Sequence, residues 1–450
     1  MLPSPTVVSM IDPSIQSGGI LLGGSAGTWT WSGHQRSTLV LGPTRSGKTS
    51  SIIVPNVLAA AGPVVTTSTK PDILAATASA RSAAGSVLLF DPMSATPAPP
   101  GTLRVGWSPL GMARTWDGSL MMASSMVAAA HRRSSGDAGA VSHWSERASA
   151  LLAPLLFAAA QGNQSMASVV GWVDRHQATS AMELLGLHVA EDHPAPALLA
   201  GIAATDSREQ SGIWSTASGV LGAYRSLDAL ESTKGPLIDA KAFVEGAHTL
   251  HICAPGRQQA LIAPLVVGLL SEIQAAAYAR SNVNNPVLFA LDELANIAPL
   301  PDLPQLVSEG GGQGLLTIGC LQDLSQARTR WGREADGLLS LFSTTVVLGG
   351  VADRSTLGAL SELAGPTEIQ RTSLSMTRHG RGRPGTSMVT SSSREHLLDV
   401  DQVARGRPGH GLLLDASNRV GWLKLTVAHR DEPWRTLTRG HDRLRVDRSR

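Results

Sequence analysis

The sequence predicts an α/β protein: a mostly parallel sheet covered on both faces, with one inserted all-α domain. Three observations predict it. Short runs rich in Val, Ile and Leu recur along the chain, each of strand length and each bounded by turn residues or helical stretches. Between Trp116 and Phe243 those runs stop and only helical spacing remains. Of the 450 residues, 42% are hydrophobic and 16% charged, an apolar share that can bury a large core and excludes wholesale disorder.

Taken in order, residues 1–37 form a lead-in with a β-hairpin whose turn is Gly23-Gly24-Ser25-Ala26-Gly27. These five residues also fit the nucleophile pattern G-x-S-x-G, but Thr28–Trp31 does not start the helix which that geometry requires. Thr38–Leu41 reads as a strand and Ser50–Ala61 as a helix, with a glycine-bounded loop between them. Pro63–Thr67, Ser86–Phe90, Thr249–Ala254, Pro286–Leu291, Leu315–Leu321 and Thr344–Leu348 are further strands; Gly411–Asp415 and Val420–Val427 make an edge hairpin. The core is therefore residues 38–115 together with 244–429. The insertion is 116–243, with helices at Gly118–His131, Trp144–Ala160, Met166–Arg175 and Ser180–Ala190. Arg371–Arg394, rich in Ser, Thr, Arg and Gly, and the arginine-rich tail 430–450 show no periodicity and are expected to be mobile.

Charge and cysteine content exclude several classes. Thirty-seven basic residues against thirty-five acidic ones leave +2, which rules out a polybasic coat but not a local basic groove. Cys253 and Cys320 both fall inside strands, so a disulfide scaffold is excluded and a reducing compartment is expected. The most apolar window, Ala260–Ala279, is interrupted by Pro264, Ser271, Glu272 and Gln274, so the expectation is a cytoplasmic chain without a membrane span.

The strongest motif is Gly42-Pro43-Thr44-Arg45-Ser46-Gly47-Lys48-Thr49, which fits G-x-x-x-x-G-K-[ST] between a strand and a helix. Glycines let such a loop wrap phosphates with backbone N–H groups at a helix N-terminus, and Ser50 opens that helix. Lys48 would reach the β and γ phosphates of ATP, and the Thr49 hydroxyl would coordinate Mg²⁺. The match carries weight because lysine occurs only at Lys48, Lys70, Lys234, Lys241 and Lys424. A metal-bound phosphate also needs a carboxylate at the end of a neighbouring strand, and Val287–Leu291 ends in Asp292-Glu293. Asp292 would hold the Mg²⁺ shell and Glu293 would orient or deprotonate the attacking water. Gln322, after Leu315–Leu321, is a candidate sensor of the γ-phosphate. The bland alternatives are a capping Asp-Glu pair and a surface glutamine.

Two other patterns are discounted. Gly380, Gly382 and Gly385 satisfy G-x-G-x-x-G with no strand before them, and His248 and His251, three apart on a strand, would point to opposite faces. The span Arg371–Arg394 instead offers Arg371, Arg378, Arg381, Arg383 and Arg394 without one acidic residue, a local +5 suited to gripping DNA phosphates of any sequence. The competing reading is a solvated hairpin loop.

Several stretches together resemble the TraG/TraD class of type IV secretion coupling proteins, DNA-pumping ATPases of the HerA/FtsK superfamily. They are Gly42–Thr49, Thr66–Asp72 (TTSTKPD), Phe90-Asp91-Pro92, Trp107-Ser108-Pro109-Leu110, Leu291–Asn296 (LDELAN), Leu321–Gln326 (LQDLSQ) and Leu348–Asp353 (LGGVAD). The resemblance implies a RecA-like P-loop core, an all-helical domain, homo-hexamer assembly, and DNA, a relaxase or other nucleoprotein and secretion-channel components as partners. Family members usually begin with membrane-spanning helices, so attachment at the inner face of the membrane would fall to a partner. An arginine that acts in trans in some relatives is missing from Ser308–Gly314, leaving Arg328, Arg330 and Arg354 as substitutes by position. The alternatives are a nucleotide-binding recruitment module with little turnover and an FtsK/HerA-like DNA segregation pump. A small-molecule kinase lacks an evident acceptor pocket or lid.

Overall fold

The computed structural model describes residues 19–25, 28–130, 138–280, 284–377, 385–417 and 419–439, without the side chains of 25, 138–142, 374–377, 385–387 and 389. Its fourteen strands are β1 (Leu21–Ser25), β2 (Thr28–Trp31), β3 (Thr38–Leu41), β4 (Val64–Ser68), β5 (Val87–Phe90), β6 (Thr102–Arg104), β7 (Thr249–Cys253), β8 (Val287–Leu291), β9 (Leu315–Leu321), β10 (Thr344–Val347), β11 (Pro366–Thr377), β12 (Gly385–His396), β13 (His410–Asp415) and β14 (Arg419–Lys424). Ten of them form one sheet in the order β14-β13-β10-β3-β9-β8-β4-β7-β5-β6. From β10 to β6 every pairing is parallel; β13 and β14 close the other edge antiparallel. The expected α/β class and mostly parallel sheet are therefore present.

The strands read as unbroken apolar runs because both faces are buried. Leu39, Leu41, Phe289 and Leu291 face one cluster, whereas Val40, Leu288, Ala290 and Ile318 face another with Ile52, Ile53 and Val57. The first face is covered by helix Gln259–Tyr278 and, beyond it, by the insertion. The insertion is all helical among the described residues, running from Trp116–Ala130 to Ala240–Glu245. Its apolar side chains merge with the sheet's own cluster. Trp107 ties the two together: its amide donates to the Ser232 carbonyl oxygen of the insertion at 2.8 Å, while its indole N–H donates to Glu272 Oε2 at 2.7 Å and its ring fills the space beside Gly268, where a Cβ would come within 2.5 Å. Helix Gln259–Tyr278 has the length and apolarity of a membrane span, but 72% of its most apolar window is buried inside the protein. That apolarity is spent on the core, which is why Ser271 and Glu272 can be tolerated within it.

Three local readings need correction. Arg371–Arg394, expected as a mobile loop, is for the most part the antiparallel pair β11–β12 in unbroken register from Pro366↔His396 to Thr377↔Gly385. The tail from Arg430 includes a helix, Trp434–Thr438, anchored by the fully buried Trp434, whose ring meets Trp29 edge-on at 5.6 Å. Strand β6 was not foreseen, since Thr102–Arg104 is a partly exposed edge with no apolar pattern. The turn at residues 26–27, the tail beyond residue 439 and most of the lead-in (residues 1–18) lie outside the described residues. In the part of the lead-in that is described, β1 and β2 pair antiparallel. At Gly24, φ is +128° and a Cβ would stand 2.2 Å from the Thr28 carbonyl oxygen, so the hairpin requires glycine there.

Candidate nucleotide site

Strands β3, β9, β8 and β4 are consecutive neighbours, and the carboxyl ends of β3, β8 and β4 open on one cleft. β3 runs into the loop Gly42–Thr49, and the Gly42 amide donates to the Leu321 carbonyl oxygen at 3.1 Å, keeping the loop flush with β9. A Cβ on Gly42 would lie 2.7 Å from Ser46 Oγ and 2.9 Å from Leu348 Cβ, so only glycine fits. Arg45 (φ +64°) and Gly47 (φ +101°) take left-handed conformations, which curl the loop back on itself. One π-helical turn, Thr49–Ile53, then leads into helix Val54–Ala59.

The chemistry converges at this turn. Lys48 Nζ donates to the carbonyl oxygens of Gly42 (2.5 Å) and Pro43 (2.9 Å). The Thr49 hydroxyl lies 3.1 and 2.9 Å from Asp292 Oδ1 and Oδ2, although 243 residues separate the two in sequence. Asp292 stands just past β8, its amide donating to the Thr67 carbonyl oxygen of β4 at 3.3 Å. Burial pushes its carboxyl up to about 6; the Thr49 hydroxyl opposes the shift, Glu293 adds to it, Lys48 opposes it and Asp72 adds to it. Glu293 accepts from Asn296 Nδ2 at 3.2 Å. Ser46 Oγ is buried with no partner among the described residues.

The cleft has a volume of about 770 Å³, and Thr44–Ser50, Asp292 and Glu293 all line it. Sequence reasoning missed part of its wall. Lys70 and Asp72, which follow β4, line it as well. Lys70 carries a usable signal, being one of only five lysines and lying within Thr66–Asp72. Ala428, His429 and Thr438 also line the cleft, brought there by tertiary folding alone.

Other candidates stand elsewhere. Gln322 is exposed at the end of β9, its amide bonded by Gln326 Oε1 at 3.0 Å, and it is not among the residues lining the cleft. Arg371 is paired with Glu395 at 2.7 Å, and Arg394 lies opposite Glu368 in the hairpin register. Both glutamates lie just outside the window read as +5, so over Pro366–His396 five arginines against two glutamates leave +3. Arg378, Arg381 and Arg383 lie outside the described residues. Arg328 is held by Asp336 and Asp353, Arg330 donates to the Ala129 carbonyl oxygen at 2.6 Å, and Arg354 is exposed at the start of helix Arg354–Ala364. His251 is buried against Thr66 (2.8 Å) while His248 accepts from the Ser86 amide (3.1 Å), so the two histidines share no ligand. No cluster of three or more His, Cys, Asp or Glu suited to a metal occurs among the described residues.

Residues 286–407, from β8 to beyond β12, match the family model described as the TraM recognition site of TraD and TraG. Bacterial conjugative coupling protein TrwBdeltaN70, in its unbound form, superposes with a TM-score of 0.69 at 18% identity, over 92% of this chain and 89% of that one. The fold is that of a conjugative coupling protein. Plasmid coupling protein TrwB in complex with ADP and Mg²⁺ gives 0.67 at 19% identity over 92% and 90%, and its complex with the ATP analogue ADPNP gives 0.64 at 19% over 88% and 86%. No curated protein sequence matches the chain. The resemblance to the coupling-protein class is thus borne out, by its characteristic segment over 286–407 and by a TrwB-like α/β architecture over most of the length.

Proposed function

We propose that this chain is an ATP-hydrolysing motor of the coupling-protein kind, which uses Mg²⁺-bound nucleotide to move DNA. One observation carries the reading: the Thr49 hydroxyl and Asp292 carboxylate meet beside Lys48 at the carboxyl edge of a parallel sheet. The residues fit the cofactor. Asp292 and Thr49 are hard oxygen donors, and a carboxyl held up near 6 by burial would be drawn back to its ionised form by a divalent cation. When bound, Mg²⁺ would neutralise charge developing on the phosphates.

The chain's own groups do the rest. Lys48 exchanges two loop carbonyls for phosphate oxygens, and the curled loop turns backbone N–H groups and the unpartnered Ser46 hydroxyl toward the anion. Glu293, held by Asn296, is positioned at the cleft wall to take a proton from attacking water. The complexes of TrwB with ADP and Mg²⁺ and with ADPNP support ATP and Mg²⁺ as ligands here. The match to a TraM recognition site supports a nucleoprotein partner bound through residues 286–407. On the same reading the working form is a homo-hexamer at the inner face of the membrane, feeding a secretion channel and held there by a partner.

Turnover with and without single- and double-stranded DNA tests this. Lys48→Ala should lose tight ATP binding, whereas Glu293→Gln should keep ATP bound and lose turnover by roughly 10²–10⁴-fold. DNA should stimulate the wild type. Near-normal turnover in Glu293→Gln would mean that another group activates water, and turnover that ignores DNA would leave a recruitment module.

A further inference from the structure

The cleft is lined by two kinds of residue. Arg45, Lys48, Lys70, Asp72, Asp292 and Glu293 are charged; Val54, Ala76, Ala428, His429 and Thr438 are neither carboxylate, lysine nor arginine. Three of this second set, Ala428, His429 and Thr438, belong to a wall built by the segment Thr426–Thr438, which returns from β14 across the first turn after the phosphate loop. The Ala428 amide donates to the Ser50 carbonyl oxygen at 2.9 Å, fixing the segment one residue from Thr49. Asp431 Oδ2 accepts the Val427 amide at 2.7 Å and closes the turn that presents His429. Trp434 and Leu437 bury themselves with Val54, Leu58 and Ala80, so the wall is anchored in the core and not draped on the surface. His429 is exposed and makes no hydrogen bond among the described residues. The Thr438 hydroxyl donates to the carbonyl oxygens of Arg435 (3.2 Å) and Ala428 (3.4 Å), which leaves its oxygen lone pairs to accept.

We infer that Thr426–Thr438 forms the nucleobase subsite of this cleft, with the His429 imidazole stacking on a planar heterocycle and Thr438 Oγ1 accepting from its edge. The inference rests on the nucleotide reading above and deepens it. A nucleotide whose phosphates lie on Gly42–Thr49 needs an uncharged surface for its base, and this wall offers methyl groups, one ring and one acceptor. An exocyclic amino group is the donor that acceptor suits.

Calorimetric titration of the full chain with Mg²⁺-ATP and, separately, with Mg²⁺-tripolyphosphate tests it, because tripolyphosphate has the phosphates without the base. His429→Ala should weaken ATP by roughly ten-fold, the order expected for one lost stacking contact, and leave tripolyphosphate unchanged. His429→Phe, which keeps a ring, should restore most of the ATP affinity. His429 is exposed, so thermal unfolding should match wild type in both variants. Unchanged ATP affinity in His429→Ala would overturn the inference, as would equal weakening of both ligands. A wild type that binds tripolyphosphate as tightly as ATP would remove the base subsite and spare the phosphate loop. One that binds neither would remove the nucleotide reading and the inference together.

Discussion

The two ends of the central sheet treat buried charge in opposite ways. At the amino end, Arg81 is buried and fully partnered: its guanidinium donates to Thr249 Oγ1 (2.7 Å) and to the carbonyl oxygens of Ala60 (2.6 Å), Gly62 (3.0 Å) and Ala247 (3.0 Å). Burial lowers its pKa to about 10, so it stays charged at neutral pH while pinning the loops that enter β4 and β7. At the carboxyl end, Asp292 has the Thr49 hydroxyl and little else, and its carboxyl is pushed up to about 6. Satisfied polarity marks the end that holds the fold. Strained polarity marks the end that waits for a ligand.

The largest effect expected from breaking this contrast is at Arg81. Arg81→Met should lose about 3–5 kcal/mol in urea unfolding, because three carbonyls and a hydroxyl are left buried without a donor. A loss below about 1 kcal/mol would mean that the amino end is not held by polar satisfaction. Asp292→Asn should go the other way. A carboxyl raised from 3.8 to about 6 on folding contributes stability as the neutral acid below about pH 4, and that contribution is lost as pH rises through 6. Above pH 6, Asp292→Asn should therefore gain on the order of 1–2 kcal/mol without ligand, allowing for partial solvent screening, while losing turnover. The wild type should bind Mg²⁺-ATP more tightly as pH rises from 5 to 7, and Asp292→Asn should be flat over that range; equal slopes would detach the carboxyl from the metal site.

Exposed charge sets the lower end of the scale. If the β11–β12 hairpin grips DNA, changing Arg378, Arg381 and Arg383 to alanine should make the log–log salt dependence of binding shallower by roughly 0.7–0.9 per lost phosphate contact. Arg371 and Arg394 already face Glu395 and Glu368, so the same change there should move the slope less. An unchanged slope in the triple variant would move the contact off the hairpin.

Legibility followed burial. β3, β4, β5, β7, β8, β9 and β10 were readable nearly to the residue, because a strand covered on both faces must be apolar throughout and little else of that length is. β11 and β12 were not. Among their described side chains none is buried, so a stretch such as Thr367–Arg371 (Thr, Glu, Ile, Gln, Arg) carries no apolar run to read. The loop Gly42–Thr49 and the pair Asp292-Glu293 were legible because their chemistry needs fixed residue types at fixed spacing. The wall at His429 was not, since nothing about a lone histidine just before an arginine-rich tail announces that Trp434 will anchor it across the cleft.

The strand order also has a consequence for how the chain is made. β3 ends at Leu41, yet its two neighbours, β9 and β10, begin only at Leu315 and Thr344. At about 5–20 residues per second, the phosphate loop spends tens of seconds attached to a strand with both edges open. No nascent chain that ends before about residue 320 can seat that strand, so the phosphate loop has no β9 beside it until the whole insertion has been synthesised. The cell must shelter an apolar, unpaired ribbon for that interval.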